Sequence, residues 1–139
     1  MSVYLDVNVL IPLFMVDAHN KRADKAMNDL QDDLIVSNLS VAEFSSVIAR
    51  RVRMHELNES DARSAFVNFD AWCADHTSCA EIENVDFLAA TALMRRLNLP
   101  LRTPDALHLA VVQRNGCSLL TFDTAMAKVA RALRIEIAP

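Results

Sequence analysis

Short apolar runs alternate with helix-length segments along the whole chain, and this alternation limits the fold more than any other feature. Strands are expected at Val3–Leu5, Leu34–Ser37, Cys79–Ile82, Ser118–Thr121 and Ile135–Ile137. Helices are expected over Asn8–Met15, Asp17–Gln31, Ser40–Met54, Asn58–His76, Val85–Leu97, Thr103–Asn115 and Asp123–Leu133. Strands separated by helices need crossover connections, and these produce a parallel sheet covered by helices on both faces. The expected class is therefore α/β. A length of 139 residues suits a single domain, 1–139, with one core.

Several helix ends are legible. Ser40-Val41-Ala42-Glu43 fits a capping box, with Glu43 three residues after a serine cap. Thr103-Pro104-Asp105 reads as a cap, a first-turn proline and a first-turn acid. Asn115-Gly116 reads as a stop. Phe66, Phe69 and Trp72 fall on one stripe of the long helix, which points to core packing, with a docking groove as the alternative.

Composition excludes whole classes. The single glycine rules out every glycine-rich phosphate loop, and 53% hydrophobic residues supply a sizeable interior. No apolar stretch approaches a membrane span. The start Met1–Asp6 runs directly into a strand, with no basic lead or cleavage site, so no signal peptide is expected. Cys73, Cys79 and Cys117 are odd in number and lack metal-type spacing, which suggests reduced, mostly buried thiols of a cytoplasmic protein. The net charge of −4 disfavours nucleic-acid binding only on the average, because the arginines are clustered. Arg50, Arg51 and Arg53 end one helix, and Arg95, Arg96 and Arg102 bracket another helix end. Helix C-termini favour such charges in any case. Lys21 and Arg22 have no special spacing and read as solvated.

Four carboxylates fall where a buried strand should give way to a helix: Asp6, Glu43, Asp105 and Asp123. Ligands of open α/β sheets bind beyond the carboxyl ends of the strands. Carboxylates converging there without a cation repel one another, and a hard divalent ion relieves that repulsion. Each acid also has an ordinary explanation as a helix cap or first-turn charge. The caps, however, need not be acidic, nor fall where strands point. His108, one turn after Asp105, either faces the same cleft or bonds locally on its helix.

The order of four segments resembles the PIN-domain nucleases, and among them the VapC-like toxins of toxin–antitoxin pairs. Tyr4-Leu5-Asp6-Val7-Asn8-Val9-Leu10-Ile11 resembles the opening motif, and Ser37-Asn38-Leu39-Ser40-Val41-Ala42-Glu43-Phe44 the second. Thr103-Pro104-Asp105-Ala106-Leu107-His108-Leu109-Ala110 resembles the third, and Leu119-Leu120-Thr121-Phe122-Asp123 the fourth. The resemblance implies a PIN-like sheet, an acidic pocket of Asp6, Glu43, Asp105 and Asp123 holding Mg²⁺ or Mn²⁺, and cleavage of RNA. It implies Asn8 and Thr121 as polar supports of that pocket, Asn8 standing where relatives often have Ser or Thr. It also implies a homodimer and a cognate antitoxin. Arg102, just before Asp105, is the arginine expected nearest the RNA.

Other functions fit less well. A receiver-type signalling domain needs an acid pair after the first strand and a late strand-end lysine, but Lys128, the only lysine after Lys25, lies inside a helix. A phosphatase with an aspartyl nucleophile needs Asp-x-Asp, and position 8 is Asn. A non-catalytic PIN-like RNA-binding or interaction module is the remaining alternative, and it normally lacks one or more of the acids.

Overall fold

The chain begins with β1 (Ser2–Leu5), followed by α1 (Val7–Phe14) and α2 (Asn20–Asp29), in a computed structural model that describes Met1–Pro139. Then come β2 (Asp33–Ser37), α3 (Asn38–Arg53), α4 (Glu59–His76), β3 (Thr77–Ala80) and α5 (Asn84–Met94). Finally α6 (Thr103–Asn115), β4 (Ser118–Leu120) and α7 (Thr124–Ala132) complete the fold. The four strands form one parallel sheet in the order β3-β2-β1-β4.

Strand parity divides the core. Val3, Leu5, Val36 and Leu120 project to one face, where they pack with α1–α4 residues such as Leu10, Phe44, Ile48 and Phe69. Tyr4 and Leu119 project to the other, against Leu109 and Val112 of α6 and Met126 and Val129 of α7. The register puts Tyr4 beside Ile35 and Leu119, and Leu5 beside Leu120. Phe44 and Phe69 stack at 3.9 Å between ring centres, and Phe14 meets Phe69 and Trp72 edge-on. The aromatic stripe of α4 is thus part of the core, with half-buried Trp72 at its rim.

Several expectations change. The cap of α3 is Ser37, whose hydroxyl oxygen accepts from Ser40 N, so the helix starts at Asn38 and Glu43 is its sixth residue, outside any capping box. Ser37 wins because the β2 backbone is still extended there (ψ 160°), as a cap requires. The cap of α6 is Arg102 rather than Thr103, because Asp105 Oδ2 accepts from Arg102 N. The third strand lies at Thr77–Ala80, directly after α4, where it pairs with all of Leu34–Ser37. Ile135–Ile137 makes only a bridge between Ile137 and Leu119. The second helix starts late because the Asn20 side chain takes the carbonyls of Pro12 and Met15, at 2.6 and 2.7 Å, and the Asp17 amide, holding the preceding residues in a turn. Of the cysteines only Cys117 is buried; Cys73 is half-buried, its thiol pushed up to about 11 by desolvation, and Cys79 is exposed. No helix is long and apolar enough to cross a membrane.

Candidate active site

β1 is where the strand order reverses. The chain moves from β1 to β2 to β3 on one side and returns to place β4 on the other. The crevice at such a reversal lies beyond the carboxyl ends of the two strands, here β1 and β4. Asp6 follows β1, and its amide donates to Leu120 O at 3.0 Å, which locks the two strand ends together. Thr121 and Asp123 follow β4.

Asp6 is buried. Its Oδ1 accepts from the Val7 amide at 2.7 Å and so caps α1. Its Oδ2 accepts from the Thr121 hydroxyl at 2.8 Å and from Asn8 Nδ2 at 3.2 Å. The same Asn8 amide donates to Thr121 Oγ1, and its Oδ1 accepts from Phe122 N at 2.9 Å. Asn8 thereby ties the start of α1 to the end of β4, a reach that a serine at that position lacks. Desolvation drives the Asp6 carboxyl above its ordinary range, and the negative charge of Glu43 adds to the rise. His108 and the hydrogen bonds from Thr121 and Val7 oppose it without cancelling it. Asp6 has hydrogen-bond donors but no arginine or lysine partner within ion-pair distance.

Glu43 is half-buried on α3 and meets Nε2 of His108. His108 is buried, and its Nδ1 lies 2.5 Å from the Tyr4 hydroxyl. Tyr4 in turn lies 2.6 Å from Ser37 Oγ. Burial pushes the Tyr4 phenol well above its usual value, so it keeps its proton. One set of donors satisfies the chain: Ser37 donates to Tyr4, Tyr4 donates to His108 Nδ1, and Nε2–H of His108 donates to Glu43. The hydrogens are assigned from this network. Strand parity makes it possible, because Tyr4 points to the α6 face while Leu5 points away.

The other two acids are occupied locally. Asp105, half-buried, accepts from Arg102 N at 3.4 Å. Asp123 is exposed and caps α7, its Oδ1 accepting from Ala125 N and Met126 N. Its amide donates to Thr121 Oγ1 at 3.1 Å, which sets it beside the Asp6 cluster. Asp6 and Glu43 therefore share an electrostatic environment through His108. Asp105 stands one turn before His108, and Asp123 adjoins Thr121. No three His, Cys, Asp or Glu side chains gather closely enough to form a cage for a metal ion. A Mg²⁺ ion does not require one, since it keeps several waters and binds through one or two carboxylates. The donors are all hard oxygens, so the residues fit such an ion in kind.

Sequence reasoning missed three features. His108 is neither a cleft wall nor locally bonded, but a buried link between Tyr4 and Glu43. The signal was its place in a helix buried continuously from Ala106 to Val112, where an imidazole must find partners. Asp86 is buried against Arg114, whose Nε and Nη2 donate to it at 2.8 and 2.9 Å, a pair that binds α5 to α6. Arg22 is not simply solvated but stacks over the Phe122 ring. Of the arginine cluster ending α3, Arg51 is paired with Asp17 at 3.2 Å. Arg102 is exposed at the start of α6.

The family model described as the PIN domain matches residues 3–132. No curated protein matches the sequence. Among solved structures, the chain resembles VapC20 of Mycobacterium tuberculosis, described as a sarcin-ricin loop cleaving toxin, at 16% identity and a TM-score of 0.75, over 91% of this chain and 94% of that one. It resembles VapBC2 of Rickettsia felis, bound to a promoter DNA fragment, at 13% identity and a TM-score of 0.74, over 99% and 97% of the two chains. A toxin–antitoxin complex from Klebsiella pneumoniae shares 24% identity at a TM-score of 0.59, over 88% and 87%. At these identities the likeness carries the fold.

Proposed function

Because the chain belongs to the PIN-domain family, we propose that it is a metal-dependent ribonuclease and the toxin of a toxin–antitoxin pair. The observation that carries this reading is Asp6: a buried carboxylate at the sheet's reversal, raised above its ordinary range by desolvation and met by hydroxyl and amide donors but no arginine or lysine. A structural carboxylate is normally paired when buried. One left without an arginine or lysine partner, with a second carboxylate near, suits a cationic ligand.

Asp6, Glu43, Asp105 and Asp123 are the residues assigned to hold Mg²⁺ or Mn²⁺. Such an ion, when bound, neutralises phosphate charge and acidifies a coordinated water for in-line attack on a phosphodiester. Thr121 and Asn8 hold Asp6 Oδ2 in one orientation. The Ser37–Tyr4–His108 chain does the same for Glu43 and keeps a proton donor on its carboxylate. Arg102, exposed beside Asp105, is the assigned RNA contact at that edge.

The partner is an antitoxin, as in the VapBC2 and Klebsiella assemblies. A cavity of about 280 Å³ lined by Leu13, Phe14, Met27, Leu34, Trp72 and His76 opens between α1, α2 and α4. It suits an apolar segment of that partner. Trp72→Ala should lower antitoxin affinity at least tenfold and cost roughly 2 kcal/mol of stability, less than a fully buried tryptophan. Titration calorimetry and denaturation measure the two, and unchanged affinity removes this groove from the interface. A homodimer is expected in the absence of antitoxin.

The activity test is cleavage of a panel of structured RNAs by the purified protein with Mg²⁺, Mn²⁺ or chelator, beside Asp6→Asn. Cleavage that needs metal and Asp6 supports the proposal. Binding of RNA without cleavage under all conditions favours the non-catalytic module instead.

A further inference from the structure

Beside the carboxylate site, residues of α2 and α7, the Thr121–Asp123 segment and Ile137–Pro139 line a cleft of about 380 Å³. Three cations line it: Arg22, Lys25 and Arg131. None lies within 4.0 Å of a carboxylate, since the ion pairs of the molecule involve only Arg51, Arg63, His108 and Arg114. The cleft also has Asp29 and Asp123 on its walls, so three cationic side chains stand against two acidic ones.

Helix stability does not explain the arrangement. Arg131 in the last turn of α7 suits the dipole, but α2 runs against it. Arg22 is the third residue of α2 and Lys25 its sixth, while Asp29 is its last. Cations near the start and an acid at the end are each unfavourable there. Arg22 is nonetheless held in place, its guanidinium carbon 4.2 Å from the centre of the Phe122 ring. A guanidinium stacked on an aromatic face keeps its edge free, and that edge matches the two oxygens of a phosphate. The Phe122 backbone is tied down by the hydrogen bond its N–H donates to Oδ1 of Asn8, the residue that orients Asp6.

We propose that this cleft is a phosphodiester-binding subsite, in which Arg22, Lys25 and Arg131 grip the RNA strand one or more nucleotides away from the bond presented to Asp6. The inference rests on the ribonuclease reading for the identity of the strand, but the cleft and its cations do not depend on it. The polar link Phe122–Asn8–Asp6 gives the subsite a rigid spacing from the carboxylates. The strand is thereby held in one register relative to the reacting phosphate. The strand-end position and the stacked arginine favour a nucleic acid over an acidic protein segment.

The test uses Asp6→Asn protein, in which cleavage is silenced, and a labelled single-stranded RNA oligonucleotide across a KCl series. Adding Arg22→Ala and Arg131→Ala should weaken binding tenfold or more. It should also flatten the log–log salt slope by about 1.4, roughly 0.7 for each phosphate that is no longer neutralised. Arg95→Ala with Arg96→Ala removes the same charge from the far end of α5 and should leave the slope unchanged. In the cleavage-competent protein the cleft variant should raise KM. Equal slopes for the cleft and control variants overturn the subsite. Poly-glutamate that binds the cleft more tightly than the oligonucleotide overturns it in favour of a protein ligand. Should the double variant melt early, Lys25→Gln on the exposed face of α2 carries the same comparison with a slope change of about 0.7. Cleavage and binding fail separately. A protein that never cuts RNA, yet binds it through Arg22 and Arg131, retains the subsite and loses the ribonuclease reading. One that cuts RNA with no dependence on these residues does the reverse.

Discussion

Asp6 and Asp86 are both buried aspartates, 7% and 1% exposed, yet their carboxyl groups are driven in opposite directions. Asp86 accepts two hydrogen bonds from the Arg114 guanidinium and one from the Glu83 amide, and these hold it below the ordinary range. Desolvation raises Asp6, with the charge of Glu43 adding to it, and the hydrogen bonds it accepts from a hydroxyl and a backbone amide oppose the rise without cancelling it. Desolvation dominates at Asp6, whereas the guanidinium outweighs it at Asp86. Asp86 is a finished structural contact, whereas Asp6 is buried at a cost that a bound cation would offset. The difference separates a carboxylate that holds two helices together from one available for chemistry.

The largest expected effect is on function. Asp6→Asn should lower metal-dependent RNA cleavage about a thousandfold while the metal-free protein melts no lower than wild type. Asparagine keeps the shape and removes a charge the fold disfavours. Rate assays at saturating Mg²⁺ paired with thermal melts measure both, and wild-type rates in a folded variant would end the assignment.

Arg114→Ala should do the opposite, costing about 3 kcal/mol because it strands the Asp86 charge in the interior. Denaturant unfolding checks this. A loss no greater than that of an ordinary surface arginine would mean that Asp86 is not held by this pair.

Metal should act on one aspartate and not the other. At ten times its Kd, Mg²⁺ or Mn²⁺ should stabilise the wild type by about 1.4 kcal/mol. The gain should vanish in Asp6→Asn and persist in Asp86→Asn, allowing for the lower baseline of the latter. A flat melting temperature across a millimolar titration of the wild type removes the metal from the proposal.

The smallest effect is on pH dependence. The folded value of Asp86 lies below its unfolded value, so its contribution is complete above the ordinary aspartate range and is lost as pH falls through the lower folded value. The folded value of Asp6 lies above its unfolded one, so its contribution is unfavourable at neutral pH and is relieved as pH falls through that raised value to the ordinary one. Unfolding curves from pH 7 to 3 should therefore show a shallower acid-side loss in Asp86→Asn and a steeper one in Asp6→Asn. Parallel curves for the two variants would contradict the opposite shifts.

The sheet was legible because it rests on short-range pattern. Apolar runs alternating with helical periods require parallel crossovers, and all four strands found lie within two residues of their expected positions. Helix ends were less legible where two hydroxyls competed. Ser37 and Ser40 are three residues apart, and the extended backbone of β2 selects the earlier one as the cap. The late start of α2 was hidden because Asn20 takes carbonyls five and eight residues behind it.

The sequence by itself determined the strand–helix alternation, the parallel sheet and the position of the acids at element boundaries, because these follow from neighbours a few residues apart. Only the tertiary structure decided what each acid meets. Asp6 finds Thr121 at a separation of 115 residues, Tyr4 finds His108 at 104, and Glu43 finds His108 at 65. Arg22 reaches Phe122, and Asp86 reaches Arg114, by the same packing of helices onto two faces of one sheet. Such pairings depend on sheet order and strand parity, which bring remote side chains together in ways that local pattern does not encode. Since a carboxylate's charge state depends on its partners, the distinction between a structural acid and a reactive one exists only in the folded molecule.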